Sequence, residues 1–346
     1  MTLRAADANL DRAAEGLRAL EDVARFLLND TPLTETLRSI RHRLRETGRP
    51  MERELLSARD AGGDVGARAA TEGRTGPADL VSANAKRVQE SLRVLEELAQ
   101  LPGSPWQPQT FQEARFTLYS VEKELLSRLL RQESRQKISG LYVIIDSEFL
   151  RGREEVQLCR QALSGGARVV QLRDKGRDKG VLLPICQEMT AECAAGGGIF
   201  LVNDHLDLAL ASGAHGLHLG QSDLPLQVAR RLLSVDRLIG VSAKTAEQAR
   251  AAQEGGADYV AVGAMFPTTS KSGAVVKGLE ALREVKQAVS LPVVAIGGIN
   301  RDNVGQVMRA GADAIAVINA VLGAPDVEKA TAEMAAAIEE AMSDTK

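Results

Sequence analysis

Aromatic side chains are scarce in this sequence, making up 3% of its 346 residues. Surfaces that stack single-stranded bases are built from such rings, so that use is disfavoured. A net charge of −3 adds no global field to attract nucleic acid. Cysteine is also sparse. Cys159, Cys186 and Cys193 form no CxxC pair, and an odd, scattered set reads as reduced thiols packed in a cytoplasmic protein. His42, His205, His215 and His218 show no HExxH or comparable spacing, which disfavours zinc. No run approaches the roughly eighteen apolar residues of a membrane span. The opening MTLRAADANLDRAAEG lacks the apolar stretch of a secretory signal. The expected partners are therefore small molecules, with no nucleic acid and no membrane.

What is present divides into two grammars. Residues 1–135 contain no convincing strand. Apolar positions recur there at helical spacing, as in Leu33, Leu37, Ile40 and Leu44. Four helices are predicted near 7–29, 33–57, 79–101 and 109–132, with a glycine-rich loop from Arg59 to Pro77. This stretch also repeats itself. Between residues 8–24 and 83–99, nine of seventeen positions are identical, which points to two related helical hairpins in an all-α bundle. The repeated Asn9, Arg12 and Glu15, with Asn84, Arg87 and Glu90, fall at i, i+3 and i+6 on one helix side. Two uses stay open for that face: hydrogen bonds between helices, or ligand binding.

From Gly140 onward, short β-branched runs alternate with amphipathic stretches. The runs are Leu141–Asp146, Val169–Arg173, Ile199–Asn203, Gly216–Leu219, Leu238–Val241, Tyr259–Val262, Val293–Ile296 and Ala314–Ile318. Eight βα units over residues 138–346 predict an α/β domain of the (β/α)8 TIM-barrel type. A doubly wound sheet would seldom need eight similar units, and no GxGxxG follows the first run.

Barrel chemistry sits at the carboxyl ends of the strands. Asp204 and Asp223 follow adjacent strands and offer the hard oxygens that Mg²⁺ prefers, leaving coordination places for water and phosphate. Arg173, Lys175 and Lys271 can neutralise a polyanion as it departs. Gly297-Gly298 would open a helix and form an anion cradle where barrels commonly hold phosphate. The hydroxyl-rich loop Thr268–Lys271 suits a phosphate-contacting lid. Bland readings compete: a helix cap for Asp223, a plain turn for Gly297-Gly298 and a plain surface loop for Thr268–Lys271. No Ser-His-Asp or Cys-His arrangement is apparent. The sum is a two-anion pocket for a reaction driven by leaving-group stabilisation.

The segments GLYVIID, QLRDK, FLVNDHLDLAL, GAHGLHLGQSDLP, GVSAKT, FPTTSKSGA, PVVAIGGIN and AVINAV occur in order over residues 138–340 and resemble the thiamine phosphate synthase family. The resemblance implies a Mg²⁺-dependent transferase that joins hydroxymethylpyrimidine diphosphate to thiazole phosphate and releases pyrophosphate. It implies that Gln171-Leu172-Arg173-Asp174-Lys175 and Asn203 meet the pyrimidine diphosphate, and that Asp204 and Asp223 bind Mg²⁺. Ser242 would touch the pyrimidine or its diphosphate, and Lys271 would hold pyrophosphate. Arg173, Lys175, Ser242 and Lys271 are the implied catalytic set. Thr268, Thr269, Ser270, Gly298, Ile318 and Asn319 would line the thiazole phosphate site.

Three positions depart from the family pattern. Lys244 stands where histidine is frequent, Asn319 where serine is usual, and Ser270 where a second threonine is common. Lys244 either adds a cation or points to solvent. The rival on the same barrel is a thiazole tautomerase, expected to lack the aspartate pair and to use a histidine. The N-terminal region resembles a ThiD2-type extension, which implies a hydroxymethylpyrimidine phosphate kinase with Arg41-His42, Arg59-Asp60 and Asp64-Val65-Gly66 as polar candidates. Against that reading, no GxxxxGK[ST] loop is present. Support of the barrel or a homo-oligomer interface is the alternative.

Overall fold

The computed structural model describes residues 2–59, 75–268 and 276–343, and the chain divides into two compact units, Met1–Leu130 and Arg131–Lys346. The first is helical. Helix α1 (Thr2–Asp22) buries Ala6, Ala13, Leu17 and Leu20 along one stripe, and a π-helical turn over Val23–Leu27 follows it. Asp30 caps α2 (Thr31–Gly48) by accepting from the Leu33 N–H at 2.8 Å, with Pro32 in the first turn. The single helix expected over 33–57 is interrupted. A 3-10 turn at Arg49–Met51 separates α2 from α3 (Glu52–Ala58), because Pro50 lacks the N–H and its ring crowds the preceding turn. Helices α4 (Pro77–Ala99) and α5 (Pro108–Gln136) complete the set, and the division between the units falls inside α5.

The repeat has a structural counterpart in buried ion pairs. Glu21 of α1 is 1% exposed and accepts from Arg41 of α2 at 2.7 Å. Its repeat partner Glu96 of α4 is 3% exposed and accepts from Arg115 of α5 at 2.9 Å. Burial works against the charge on Glu21, but hydrogen bonds from Arg41 and Arg38 outweigh it and lower the pKa. Arg41 is thereby committed to holding α1 against α2. Asp60, Asp64, Val65 and Gly66 lie outside the described residues.

The second unit is a closed parallel barrel in which each strand pairs with the next and the last with the first. Its strands are β1 (Gly140–Asp146), β2 (Val169–Arg173), β3 (Ile199–Asn203), β4 (Gly216–Leu219), β5 (Leu238–Ala243), β6 (Tyr259–Gly263), β7 (Val293–Ile296) and β8 (Ala314–Val317). Between them run α6 (Glu155–Ser164), α7 (Lys179–Ala195), α8 (Leu206–Ser212), α9 (Leu226–Leu232), α10 (Ala246–Glu254), α11 (Gly278–Ala288) and α12 (Val304–Arg309). The unit closes with α13 (Asn319–Leu322) and α14 (Val327–Ser343).

Alternation along each strand sorts the side chains. Leu141, Val143 and Ile145 pack outward in the layer shared with the helices, whereas Tyr142 and Ile144 turn inward with Val169, Leu201 and Tyr259. Strands buried on both faces read as unbroken apolar runs, which is why their limits were legible. All three cysteines are buried. Among the described residues, no helix is long and apolar enough to cross a membrane.

Candidate active site

The carboxyl ends of the strands open onto a cavity of about 1060 Å³. Gln171, Arg173, Lys175, Asn203, Asp204, Asp223, Ser242, Thr268, Gly298, Ile318 and Asn319 all line it. Lys244 lines it as well, so this side chain faces the cavity mouth. Leu172 and Asp174 are not brought there. Strand alternation sends Leu172 into the outer core beside the helices. Asp174 turns back on its own loop, accepting from the backbone N–H groups of Gly176 at 2.9 Å and Arg177 at 2.8 Å, and from Arg177 Nε at 2.7 Å. Thr269, Ser270 and Lys271 lie outside the described residues.

Two aspartates dominate one side. Asp204 takes φ +61°, the left-handed region that a short polar side chain tolerates at some cost. Its backbone N–H donates to His218 O at 2.9 Å, fixing the turn after β3. Lys175 Nζ lies 3.7 Å from Asp204 Oδ2. Burial, and then the neighbouring Asp223 carboxyl, push the Asp204 pKa up to about 6. Two crowded carboxylates that resist ionising together form the donor set a divalent cation relieves. Among the described residues, no group of three or more His, Cys, Asp or Glu side chains could hold a metal. An ion held by this pair would have to take its remaining ligands from water or phosphate. Asp223 is not a helix cap. Its Oδ2 accepts from Gly220 N at 2.7 Å within the turn, and α9 begins after Pro225 with no side-chain cap.

Arg173 is aimed by a residue that strand-end reading overlooked. Asp146, wholly buried at the end of β1 and in register with Arg173, accepts a hydrogen bond from that guanidinium. The last residue of a buried strand being a carboxylate was the available signal.

Beneath the cations runs a buried polar chain that sequence reading also missed. Gln171 Nε2 donates to Asn203 Oδ1 at 2.8 Å, and Tyr142 Oη donates to Gln171 Oε1. Tyr142 Oη meets Tyr259 Oη at 3.1 Å. His218 bridges Tyr259 Oη at 2.9 Å and Ser242 Oγ at 3.0 Å. Burial raises both phenol pKa values, so the tyrosines stay protonated. Tyr142 and His218 themselves line the cavity. The tyrosines were hidden because an aromatic in an apolar run reads as core.

The opposite wall holds Gly297, Gly298, Ile318 and Asn319. Gly298 has φ +68°, and a Cβ there would sit 2.5 Å from the Pro267 carbonyl oxygen, so only glycine fits. The turn does not open the following helix directly, as the sequence suggested. Helix α12 begins at Val304, and Asn303 instead ties the turn by donating to Gly298 O at 2.9 Å.

Asp174 gives a testable consequence. Burial opposes its charge, yet the Arg177 and Gly176 N–H groups and the Arg177 side chain more than compensate, holding its pKa at about 2. A carboxyl depressed below its unfolded value of about 3.9 stabilises the fold above that pH and loses the contribution as pH falls through the folded value. The native chain should therefore lose stability between about pH 4 and about pH 2. Asp174→Asn should show a shallower acid slope in urea melts taken across that window. Identical slopes would remove Asp174 from the account.

Fold and site together define an enzyme of the (β/α)8-barrel class, with its polar machinery gathered at one end of the strands. The sequence model of the family described as thiamine monophosphate synthase matches residues 141–321, and that of the ThiD2 family matches residues 4–124. The chain is 37% identical over 334 residues to the thiamine-phosphate synthase of Thermosynechococcus vestitus, covering 96% of this chain and 93% of the relative. It is 38% identical over 335 residues to that of Gloeobacter violaceus, covering 96% and 95%. A solved thiamine phosphate pyrophosphorylase from Pyrococcus furiosus shares 41% identity and a TM-score of 0.55, covering 60% of this chain and 98% of that one. The chain belongs to the thiamine monophosphate synthase family, and it is a transferase of thiamine biosynthesis.

Proposed function

We propose that the barrel joins 4-amino-2-methyl-5-hydroxymethylpyrimidine diphosphate to 4-methyl-5-(2-phosphoethyl)thiazole, giving thiamine phosphate and pyrophosphate. One observation carries this reading: a single cavity places the Asp204–Asp223 pair and the cations Arg173 and Lys175 on one wall, and the Gly297-Gly298 turn with Asn319 on another. Two phosphorylated substrates need two anion sites, and an aspartate pair belongs beside the more highly charged of them.

The bond that breaks is the C–O link between the pyrimidine methylene and the diphosphate, with its electron pair leaving on pyrophosphate. The bond that forms is C–N, from the lone pair of the thiazole ring nitrogen. Arg173, held in place by Asp146, and Lys175 stabilise the charge that builds on the departing oxygens. Gln171 and Asn203, oriented by the tyrosine chain, present fixed polar groups to the pyrimidine. Asp204 and Asp223 would hold Mg²⁺, which when bound supplies further charge neutralisation to the diphosphate. The ring nitrogen attacks through a lone pair already in place, so no strong base is required. Lys244 at the mouth and Lys271 in the polar loop are further cations for pyrophosphate. Ser242, anchored by His218, meets the pyrimidine end. Thr268, Thr269, Ser270 and Ile318 belong with the thiazole phosphate.

The direct test is purified protein with Mg²⁺ and both substrates, followed by chromatography for thiamine phosphate. Tautomerisation of the thiazole without condensation would favour the rival reading. A sharper arm uses Gly298→Ala. Its Cβ would press on the Pro267 carbonyl, and KM for the thiazole phosphate should rise at least about tenfold, roughly 1.4 kcal/mol. KM for the pyrimidine diphosphate should stay within about twofold. Equal effects on both substrates would dissolve the two-site assignment.

For residues 4–124, similarity to the ThiD2 family supports an upstream step, phosphorylation of hydroxymethylpyrimidine phosphate. Arg59, paired with Asp7 and Asp11, lines a cleft of about 780 Å³ together with Arg18, Arg45 and Arg49. Incubating the chain with the pyrimidine monophosphate and ATP tests this, and absence of diphosphate would remove the kinase.

A further inference from the structure

Helix α13 is a single turn, Asn319–Leu322, too short to hold its own position. Its first residue lines the cavity wall opposite the aspartate pair. The carbonyls at and just past the end of a helix find no partner within it. Here two arginines from a distant part of the sequence take them. Arg151 Nη1 donates to Gly323 O at 2.8 Å. Arg153 donates to Leu322 O through Nη2, and to Ala324 O through Nη1 at 3.2 Å. Both arginines belong to the loop that follows β1.

Arg153 is half-buried and makes no ion pair among the described residues. It also donates to Leu150 O at 3.0 Å and to Phe149 O at 3.4 Å, within its own loop. One planar guanidinium thus ties backbone carbonyls of two loops together. The hold reaches the cavity through Gly323. The Gly323 N–H donates to Asn319 O at 2.8 Å. A Cβ on Gly323 would meet Asn319 O at 2.4 Å and Asn319 Oδ1 at 2.7 Å. The Asn319 side chain therefore lies folded against the residue that Arg151 grips, and any shift at the carboxyl end of this one-turn helix moves Asn319 too. The start of the same loop serves the other wall. There Asp146 holds Arg173 and accepts from Glu148 N at 3.1 Å, inside the β1–β2 pairing and independently of Arg153.

We propose that Arg153, assisted by Arg151, is a positioning residue for the thiazole phosphate. It fixes α13 from behind, so that Ile318 and Asn319 keep the spacing the phosphate requires. A displacement of about 1 Å in such a wall is enough to weaken binding severalfold or more. The inference rests on the reading of that wall as the thiazole phosphate site. A rival role for Arg153 is simple attraction of the phosphate by its charge. Lysine separates the two, because it keeps the charge and loses the fork that spans several carbonyls.

The test is steady-state kinetics with both substrates, joined to calorimetric titration of the full chain. Arg153→Met should raise KM for the thiazole phosphate about tenfold, while kcat and KM for the pyrimidine diphosphate stay within about twofold. Arg153→Lys should lose nearly as much. Arg151→Met, which breaks one contact, should lose about threefold. Titration should show the same loss of affinity for the thiazole phosphate and none for the thiazole alcohol, the same ring without its phosphate. Gly323→Ala presses on Asn319 with both arginines intact and should reproduce the selective loss, which keeps the test open if an arginine variant does not fold. Full activity of Arg153→Lys, equal losses for the two thiazoles, or a loss shared by the pyrimidine diphosphate would overturn the proposal. A native chain that binds no thiazole phosphate overturns the reading of the wall and this inference with it. Native binding that Arg153→Met leaves intact removes this inference alone.

Discussion

Replacing Asp204 with alanine is expected to lower kcat/KM for thiamine phosphate formation by about three orders of magnitude, roughly 4 kcal/mol of transition-state stabilisation. Asp223→Ala should do nearly the same. The two carboxyl groups act as a unit, so the double variant should be little worse than either single one. Asp223 also accepts the Gly220 N–H at 2.7 Å, so its alanine variant loosens the turn as well. Asp223→Asn keeps that acceptor, and it should lose activity while retaining thermal stability. The pH dependence follows from the same crowding. Burial and Asp223 raise the Asp204 pKa to about 6, so below that pH the cation must displace a proton to bind. At limiting Mg²⁺, activity should fall as pH drops through about 6, and excess Mg²⁺ should restore it. Full activity of Asp204→Ala, or an acid limb indifferent to Mg²⁺, would refute the metal assignment.

Gly240→Ala is expected to destabilise the barrel by about 3 kcal/mol, lowering its melting temperature by roughly 6–12 °C. Gly240 is in register with Tyr259 on the adjoining strand, and a Cβ would stand 1.9 Å from the ring Cζ and 2.3 Å from its oxygen. The ring is fully buried and cannot swing aside without dragging its links to Tyr142 and His218. Activity should therefore fall at temperatures where the variant is still folded, because His218 anchors Ser242. Adding Tyr259→Leu should return part of the stability by making room, but not the activity, since the phenol oxygen is gone. Calorimetry and initial rates separate the two effects. If Gly240→Ala melts with the native chain, the close contact does not constrain the ring.

The strands were readable because both faces of a closed parallel sheet are buried, so each strand became an unbroken apolar run with limits set by glycine and charge. β2, β3, β4 and β7 start and stop at the predicted residues. The helix predicted over 33–57 failed at Pro50, because periodicity continues through a proline although the backbone hydrogen bonds do not. Arg173, Lys175, Asn203, Asp204 and Asp223 were visible because each is a polar residue closing an apolar run. The chain Tyr142–Tyr259–His218–Ser242 was not visible, because it joins residues far apart in sequence on β4, β5 and β6, which are neighbours in the sheet, and reaches β1 across the barrel interior.

The sequence by itself determined the barrel, its strand ends, the family and the duplicated helices, since all of these are written as local periodicity, spacing and repetition. Tertiary structure alone decided which way each strand-end side chain turns. It sent Gln171 and Arg173 into the cavity, Leu172 into the outer core and Asp174 back onto its own loop. It also decided that Asp204 and Asp223, nineteen residues apart, crowd one another. The electrostatics of a site depend on distance through space, and that distance is set only when the sheet closes.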